Sequence, residues 1–501
     1  MTSNADQQRG AFDMESFYEM LGDDKITYEL LGALFKRNRL VFATTYGSED
    51  QPRVFKIEMI EKHANSSTGK CFRIWGKYFD HDGKKFSYKT ISHEIAQFSG
   101  PRKITSLGCY PLKLHKEEVQ LRKYLIKRGK KFVELSSVTG GRFVSHHGMA
   151  YLKLNDSSVL KINVNGRIMV DPAGHRRINP NYPRDYQGPD PFDWNEYKID
   201  SDEEDSDDSR GLVTSWWCTD EQYLITSPVV MGFAFCGKKW LEFTVSDIKD
   251  ITWNGSAYDD LVMQARNKEL VEALIRSHND HAAERMDDII AGKGRGLVFV
   301  LHGPPGTGKT LTAEAISDAM KCPLYKVSAA ELGTDPRGLE AELQKIMDIC
   351  HGWGAIMLLD EVDAFLSGQI FRDAFLRTLE YFEGILFLTT NRIENLDSAI
   401  LSRCFIPLRY NQPDRRERTD VFKTFIDRVR RVTKVDEDTF TEEALWQLGW
   451  HRINGRQIRN TVSAAHALAA GKGERLSMDH INHVLGVQQS DIEWVSNPEA
   501  L

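Results

Sequence analysis

The spacing of apolar and polar positions changes character near residue 290. Before it, apolar residues come in short runs: Leu40–Thr44, Arg53–Ile57 and Phe72–Trp75. Runs of this length, rich in β-branched and aromatic residues and punctuated by turn signals such as Asp82-Gly83, predict short strands. In Val159–Val170, Ile162 and Val164 precede Asn165-Gly166 while Ile168 and Val170 follow it. That alternation predicts a hairpin around a type I′ turn. Leu212–Trp217, Val229–Cys236 and Leu241–Val245 predict further strands. Two stretches break the β pattern. Phe17–Leu34 has mixed apolar spacing and predicts a short helix. Lys116–Leu135 predicts a helix with a solvated basic face of Lys116, Arg122, Lys123, Lys127, Arg128, Lys130 and Lys131. Asn179–Asp193 reads as a loop. In Ser201–Ser209 the like charges of Asp202, Glu203, Glu204, Asp205, Asp207 and Asp208 repel one another, which predicts disorder, as for the first dozen residues.

Beyond this half, Arg266–Ser277 places Leu270, Val271, Leu274 and Ile275 on one helical face. Three continuous apolar runs follow: Leu297–Leu301, Ala355–Leu359 and Gly384–Leu388. Such runs are the mark of parallel strands buried on both faces, and ligands gather at their carboxyl ends. Each run ends in candidate chemistry. The first leads through His302 into Gly303-Pro304-Pro305-Gly306-Thr307-Gly308-Lys309-Thr310 and a helix beginning with Leu311, the pattern G-x-x-x-x-G-K-[ST] in its strand–loop–helix setting. Glycines at 303, 306 and 308 let the backbone turn its N–H groups inward, and the helix start favours phosphate. Lys309 is expected on the β and γ phosphates and the Thr310 hydroxyl on Mg²⁺. The second run ends in Asp360-Glu361: Asp360 is expected to hold Mg²⁺ through water, Glu361 to polarise the attacking water. The third ends in Thr389-Thr390-Asn391-Arg392, with Asn391 beside the γ-phosphate. ATP and Mg²⁺ are the implied ligands. Asp287–Gly292 is a candidate backbone turn for the adenine ring.

Taken together, Gly303–Thr310, Leu358–Glu361, Thr389–Arg392 and Leu396–Arg403 resemble the AAA+ ATPases in content and spacing. The resemblance implies an α/β P-loop core on a parallel sheet with a small helical lid, preceded here by a β-rich α+β domain. It implies that Arg403 is an arginine finger inserted into a neighbouring subunit's site, and that the chain forms a homo-oligomer, a hexameric ring. It matches Arg456 to the lid arginine that reaches back to the γ-phosphate, with Arg459 as the alternative. The lid helices are expected at Asp414–Arg430, from Thr441, from Asn454 through Ala470, and from Ser477. The front half, with Thr105-Ser106-Leu107, Arg128–Val133 and Asn165–Asp171, resembles the uncharacterised N-terminal domain of a group of fungal AAA-type ATPases. The implied organisation is 1–13 disordered, 14–250 front domain, 251–286 linker helix region, 287–410 ATPase core, 411–486 lid and 487–501 tail. One departure stands out. Protein-threading members carry an aromatic residue after the second core strand, whereas Ala329–Gly338 has none. Val362–Gln369 also leaves little room for a second pore loop.

Composition narrows the partners. With 65 Lys+Arg against 72 Asp+Glu the net charge is −7, which weighs against a nucleic-acid binder. No segment reads as a signal peptide or a membrane span, and the seven cysteines form no C-x-x-C pair. Neither a zinc site nor a disulfide framework is indicated, and an intracellular location, cytoplasmic or nuclear, follows. His146-His147 sit side by side on a strand and so face opposite ways, which disfavours a shared metal. The leading expectation is an oligomeric Mg²⁺-dependent ATPase that remodels a protein client through its front domain. The alternatives are an ATP-binding switch or scaffold with slow hydrolysis, and a nucleic-acid motor using the basic helix.

Overall fold

The structure, a computed structural model, describes residues 17–65, 69–155, 158–183, 218–255, 257–280, 296–328, 331–332, 336–364, 369–392 and 406–496. The chain divides into two compact units, Met1–Ile251 and Thr252–Leu501. The predicted disordered start, the acidic run at 201–209, the Leu212–Trp217 strand, the adenine turn and Arg403 all lie outside the described residues.

Among the described residues the front unit holds two five-stranded antiparallel sheets and a two-stranded one. The first runs Phe86–Ala96, Gly69–His81, Ser48–Asn65, Leu40–Thr45, Cys109–Pro111. Its inner face carries Phe55, Ile57, Phe72 and Ile74, packed with Phe17, Tyr28 and Leu31. The second runs Lys239–Thr244, Val229–Ala234, Val159–Val170, Arg142–Lys153, Ile248–Lys249. Lys239–Thr244 also pairs back onto Arg142–Lys153, with Glu242 opposite Tyr151 and Phe243 opposite Ala150. Four strands thereby close into a ring, which leaves fewer open edges. The helix Glu118–Ser136 packs beside the short helix Asp220–Leu224 at Gly129, where a Cβ would stand 2.1 Å from the Tyr223 carbonyl oxygen.

Three expectations for this unit are corrected. No turn forms at Asn165-Gly166. Val159–Val170 is one strand, paired continuously with Arg142–Lys153 from Val170 opposite Arg142 to Val159 opposite Lys153. The reversal comes earlier, where Leu154 N–H donates to the Ser158 carbonyl at 2.9 Å. Pairing along the whole strand buries Val164, Ile168 and Val170, and that outweighs a local turn preference. Phe17–Leu34 is not one helix: Asp24 takes a left-handed φ of 56°, and Lys25–Ile26 pairs with Arg102–Lys103. The basic helix is not simply solvated, because Arg128 is 3% exposed and donates to the Pro52 carbonyl at 2.6 Å.

The second unit is a five-stranded, all-parallel sheet in the order Leu324–Ser328, Ile356–Asp360, Ile385–Thr390, Leu297–His302, Ile406–Arg409. The three predicted apolar runs are its central strands. Helices Lys309–Met320, Pro336–Trp353 and Gln369–Glu380 connect them. The helix Ala265–Asp280 belongs to this unit rather than to a separate linker, since Val271 and Ile275 join the core of Leu297, Phe299, Leu358 and Phe387. Leu270, expected on the same face, is 41% exposed. Four helices follow the sheet: Arg415–Val432, Glu442–Leu448, Gly455–Lys472 and Met478–Ser496. Asp414, Thr441 and Asn454 cap the first three through side-chain oxygens, each accepting a free N–H at its helix start. The last helix continues to Ser496, so the segment after 486 is helical rather than a tail. No helix among the described residues is long and apolar enough to cross a membrane.

Candidate nucleotide site

The site forms where three parallel strands end. The strand Leu297–His302 delivers the loop, and the glycines there meet specific demands. Gly303 has φ 148°, and a Cβ on it would lie 2.0 Å from the Tyr410 carbonyl oxygen. Tyr410 N–H in turn donates to His302 at 2.8 Å, clamping the loop's entry against the edge strand. Gly306 has φ 77°, and a Cβ there would stand 2.6 Å from the Asn454 side chain. Asn454 caps the third lid helix, so that helix begins directly over the loop. Gly308, φ 97°, is the N-cap of Lys309–Met320. Thr307 Oγ1 donates to the Pro304 carbonyl at 2.8 Å and holds the loop in its curve. Leu311 points out and is 47% exposed.

Lys309 is buried, and its ammonium stays inside the loop. It donates to the carbonyls of Gly303 at 2.6 Å and Pro304 at 2.7 Å, and to Asn391 Oδ1 at 2.9 Å. Desolvation holds the ammonium below its ordinary pKa, against the opposing pull of Asp360, Asp363 and Glu361; the positive charge of Arg456 adds to the lowering. Arg456 therefore lies within electrostatic reach of the loop, and Arg459 is exposed one turn further along the same helix.

Asp360 closes the strand Ile356–Asp360. Its Oδ1 accepts from Thr310 Oγ1 at 2.9 Å and Thr389 Oγ1 at 2.5 Å, and its Oδ2 lies 3.0 Å from Lys326 Nζ. Burial pushes this carboxyl up, but hydrogen bonds from Thr389, Lys326 and Thr310 and the Lys326 charge outweigh it, leaving it below the usual carboxylate value. Thr310 and Asp360 together present hard oxygen donors, the set that suits Mg²⁺. Glu361 is exposed and has a left-handed φ of 57°. That conformation is costly for a residue other than glycine. Its N–H is held by Thr389 Oγ1 at 3.0 Å.

The structure thus brings Lys309, Thr310, Asp360, Glu361, Asn391 and Arg456 to one end of the sheet. Four participants lay beyond the sequence reading. Thr389 bridges Asp360 and Glu361, Lys326 neutralises Asp360, and Asn454 and Tyr410 press on the loop glycines. Only Thr389 carried a usable signal, as a hydroxyl where an apolar run could have continued. Asp363, directly after Glu361-Val362, adds negative charge, with Oδ1 buried and without a hydrogen-bond partner among the described residues. Trp353 is largely buried, whereas Tyr381 is 61% exposed. Among the described residues no cluster of His, Cys, Asp and Glu could hold a metal on its own. His146 is instead fully buried, with its ring nitrogens on Val164 O and Thr244 Oγ1.

Residues 299–411 match the family described as ATPase family associated with various cellular activities (AAA). This part of the chain is similar to an AAA-type ATPase domain. Residues 16–116 match a family described as a domain of unknown function, DUF7025. That match contains the whole first sheet of the front unit and stops before the second. Among curated proteins, the chain is 28% identical over 209 residues to a putative 26S proteasome regulatory subunit homolog of Methanothermobacter thermautotrophicus, covering 38% of this chain and 54% of that protein. It is 28% identical over 215 residues to ATP-dependent zinc metalloprotease FtsH 1 of Salinibacter ruber, covering 39% and 30%. It is 33% identical over 138 residues to replication factor C subunit 4 of Oryza sativa subsp. japonica, covering 26% and 40%. The chain spans about half or less of the length of these relatives. An overlay on the crystal structure of the FIGL-1 AAA domain in complex with ADP covers 50% of this chain and 92% of that one at 19% identity, with a TM-score of 0.38, too loose to bear on function. These matches support an ATP-binding P-loop domain of the AAA+ kind.

Proposed function

We propose that this chain is an Mg²⁺-dependent ATPase that works as a ring and uses hydrolysis to remodel a protein client through its front unit. The observation that carries this reading is Lys309. A buried ammonium whose partners are two carbonyls of its own loop and one exposed amide is poised to exchange them for phosphate oxygens. Thr310 and Asp360 would hold the magnesium ion, which when bound would neutralise phosphate charge. Glu361, at the mouth of the site, would orient and deprotonate the attacking water, and Asn391, hydrogen-bonded to Lys309, would position that water at the γ-phosphate. Arg456 would reach the same phosphate from the lid. Arg403 would come from the adjacent subunit and stabilise the charge of the transferring phosphoryl group, a contribution of about 10³–10⁵ in rate in related systems. A hexamer follows from the resemblance. The match of residues 16–116 to a domain of unknown function names no client.

A mixing experiment tests the shared site. Glu361→Gln and Arg403→Ala subunits, each inactive alone, should regain part of the ATPase rate when combined. No recovery at any mixing ratio would remove the ring reading. A second reading, a nucleotide-driven assembly switch, is favoured by the missing aromatic in 329–338. It predicts turnover that no client accelerates.

A further inference from the structure

The two oxygens of Asp360 have different neighbours. Oδ1 takes both hydroxyls, Thr310 and Thr389, while Oδ2 lies against the ammonium of Lys326 at 3.0 Å. Lys326 lies in the strand Leu324–Ser328, opposite Leu358, and Ser328 is opposite Asp360. Residues two apart on a strand share a face, so Lys326 and Asp360 rise from the same side of the sheet. The lysine's aliphatic stem carries its charge up to the strand ends. The Asp360 side chain is 19% exposed and that of Lys326 45%, so solvent only partly screens the pair. Glu314 is a second carboxylate near the same ammonium. It follows Thr310 by four residues on one helix face. Desolvation, Asp360 and Asp318 raise its carboxyl, and Lys326 pulls the other way.

We infer that Lys326 is a tethered counter-cation of Asp360 with which the magnesium ion must compete, so that this ion pair sets the magnesium concentration at which the nucleotide site fills. The inference rests on the nucleotide reading given above. A carboxylate already neutralised by an ammonium attracts a divalent ion less, because both cations draw on one negative charge. Glu314, on the helix that carries Thr310, is within electrostatic reach of the same ammonium. A lysine that served instead to aim the carboxylate at the metal would have the opposite effect on removal.

The test uses the full chain as wild type, Lys326→Met and Lys326→Arg, with N-methylanthraniloyl-ADP as a fluorescent probe and MgCl₂ titrated at constant ionic strength. In Lys326→Met the half-saturating magnesium concentration should fall about twofold to fivefold, the scale of one partly screened ion pair. Lys326→Arg, which keeps the charge, should stay close to wild type. Probe binding in EDTA should be the same for all three. An unchanged or higher magnesium requirement in Lys326→Met overturns the inference. A metal-only arm guards against a folding artefact: MgCl₂ without nucleotide should raise the melting midpoint of Lys326→Met more than that of wild type, and equal shifts also overturn it. Failure of wild type to bind the probe with or without magnesium would be a different result, since it would overturn the nucleotide reading itself and this inference with it.

Discussion

The two units bury charge in opposite ways. In the front unit, Glu58 and Lys77, each less than a tenth exposed, meet at 2.7 Å across neighbouring strands. Glu242, fully buried, accepts from the Tyr46 hydroxyl at 2.6 Å and faces the Lys153 ammonium at 3.2 Å. Arg128, on a helix, is held by a backbone carbonyl of the strand Ser48–Asn65. These charges are paired with groups that are themselves fixed by the fold. In the ATPase unit, Lys309 rests on carbonyls of its own loop and on the exposed Asn391, and Asp360 rests on hydroxyls and a half-exposed lysine, all at the open ends of strands. The contrast teaches how to read a buried charge. Where its partners are buried and come from distant elements, the charge specifies the fold. Where its partners are replaceable groups at the rim of an opening, it is waiting for a ligand.

That distinction can be broken by experiment. The largest effect is expected from Lys309→Ala, which should weaken nucleotide binding by about a hundredfold or more, given roughly 3 kcal/mol for lost charged hydrogen bonds. The urea midpoint of the front unit should not move. Isothermal titration and equilibrium unfolding read the two effects separately, and a destabilised front unit would blur the contrast. Glu361→Gln should lower single-turnover hydrolysis by about 10²–10⁴ while ATP binding persists; normal turnover would remove its assignment as the base. In the front unit the sign of the argument reverses. Lys77→Met takes the close partner from buried Glu58, leaving it the exposed Arg37 at 3.7 Å, and should cost up to about 3–5 kcal/mol in urea unfolding, with nucleotide affinity unchanged.

A smaller effect should appear with pH. Burial lowers the His175 pKa from 6.5 to about 4. Below the unfolded value near 6.5 the unfolded chain takes up this proton before the folded one does, so stability is complete above that pH and declines as pH falls towards 4. The front unit should lose roughly 2 kcal/mol between pH 7 and pH 5, read as a drop in urea midpoint that His175→Gln flattens. An equal slope in the variant would assign the acid sensitivity elsewhere. The smallest effect sharpens the active side. Thr389→Val should cut kcat about tenfold with little change in KM, as expected for one charge-assisted hydrogen bond, and Thr389→Ser should restore it. A change in KM alone would make Thr389 a binding group rather than a positioning one.

How far the chain could be read in advance follows the same division. The loop from Gly303 to Thr310 was legible because its chemistry is contiguous: glycine freedom, a lysine and a hydroxyl arrive in fixed order on a strand–loop–helix. The three apolar runs were legible because strands buried on both faces need no alternation. In the front unit the strongest local signal, Asn165-Gly166, misled, because antiparallel register is decided by what a strand meets along its whole length. Lys326 went unread for a related reason. It is an ordinary residue inside a strand, and nothing nearby in the chain says which strand will lie beside it; Thr389 was seen as part of a motif, but its hold on Asp360 was not.

By itself, then, the order of residues specified the loop that can cradle a triphosphate, the carboxylates that end one strand and the asparagine that ends another. Only the folded sheet decided that Ile385–Thr390 would lie between Leu297–His302 and Ile356–Asp360. That placement brings Asn391 to the Lys309 ammonium and Thr389 to the Asp360 carboxylate. It also puts Leu324–Ser328 on the far side of Ile356–Asp360, within reach of a lysine's length. Parallel strands are joined through helices and never by direct turns, so their neighbours are chosen by packing across the whole unit, and the partners of a charge are chosen with them.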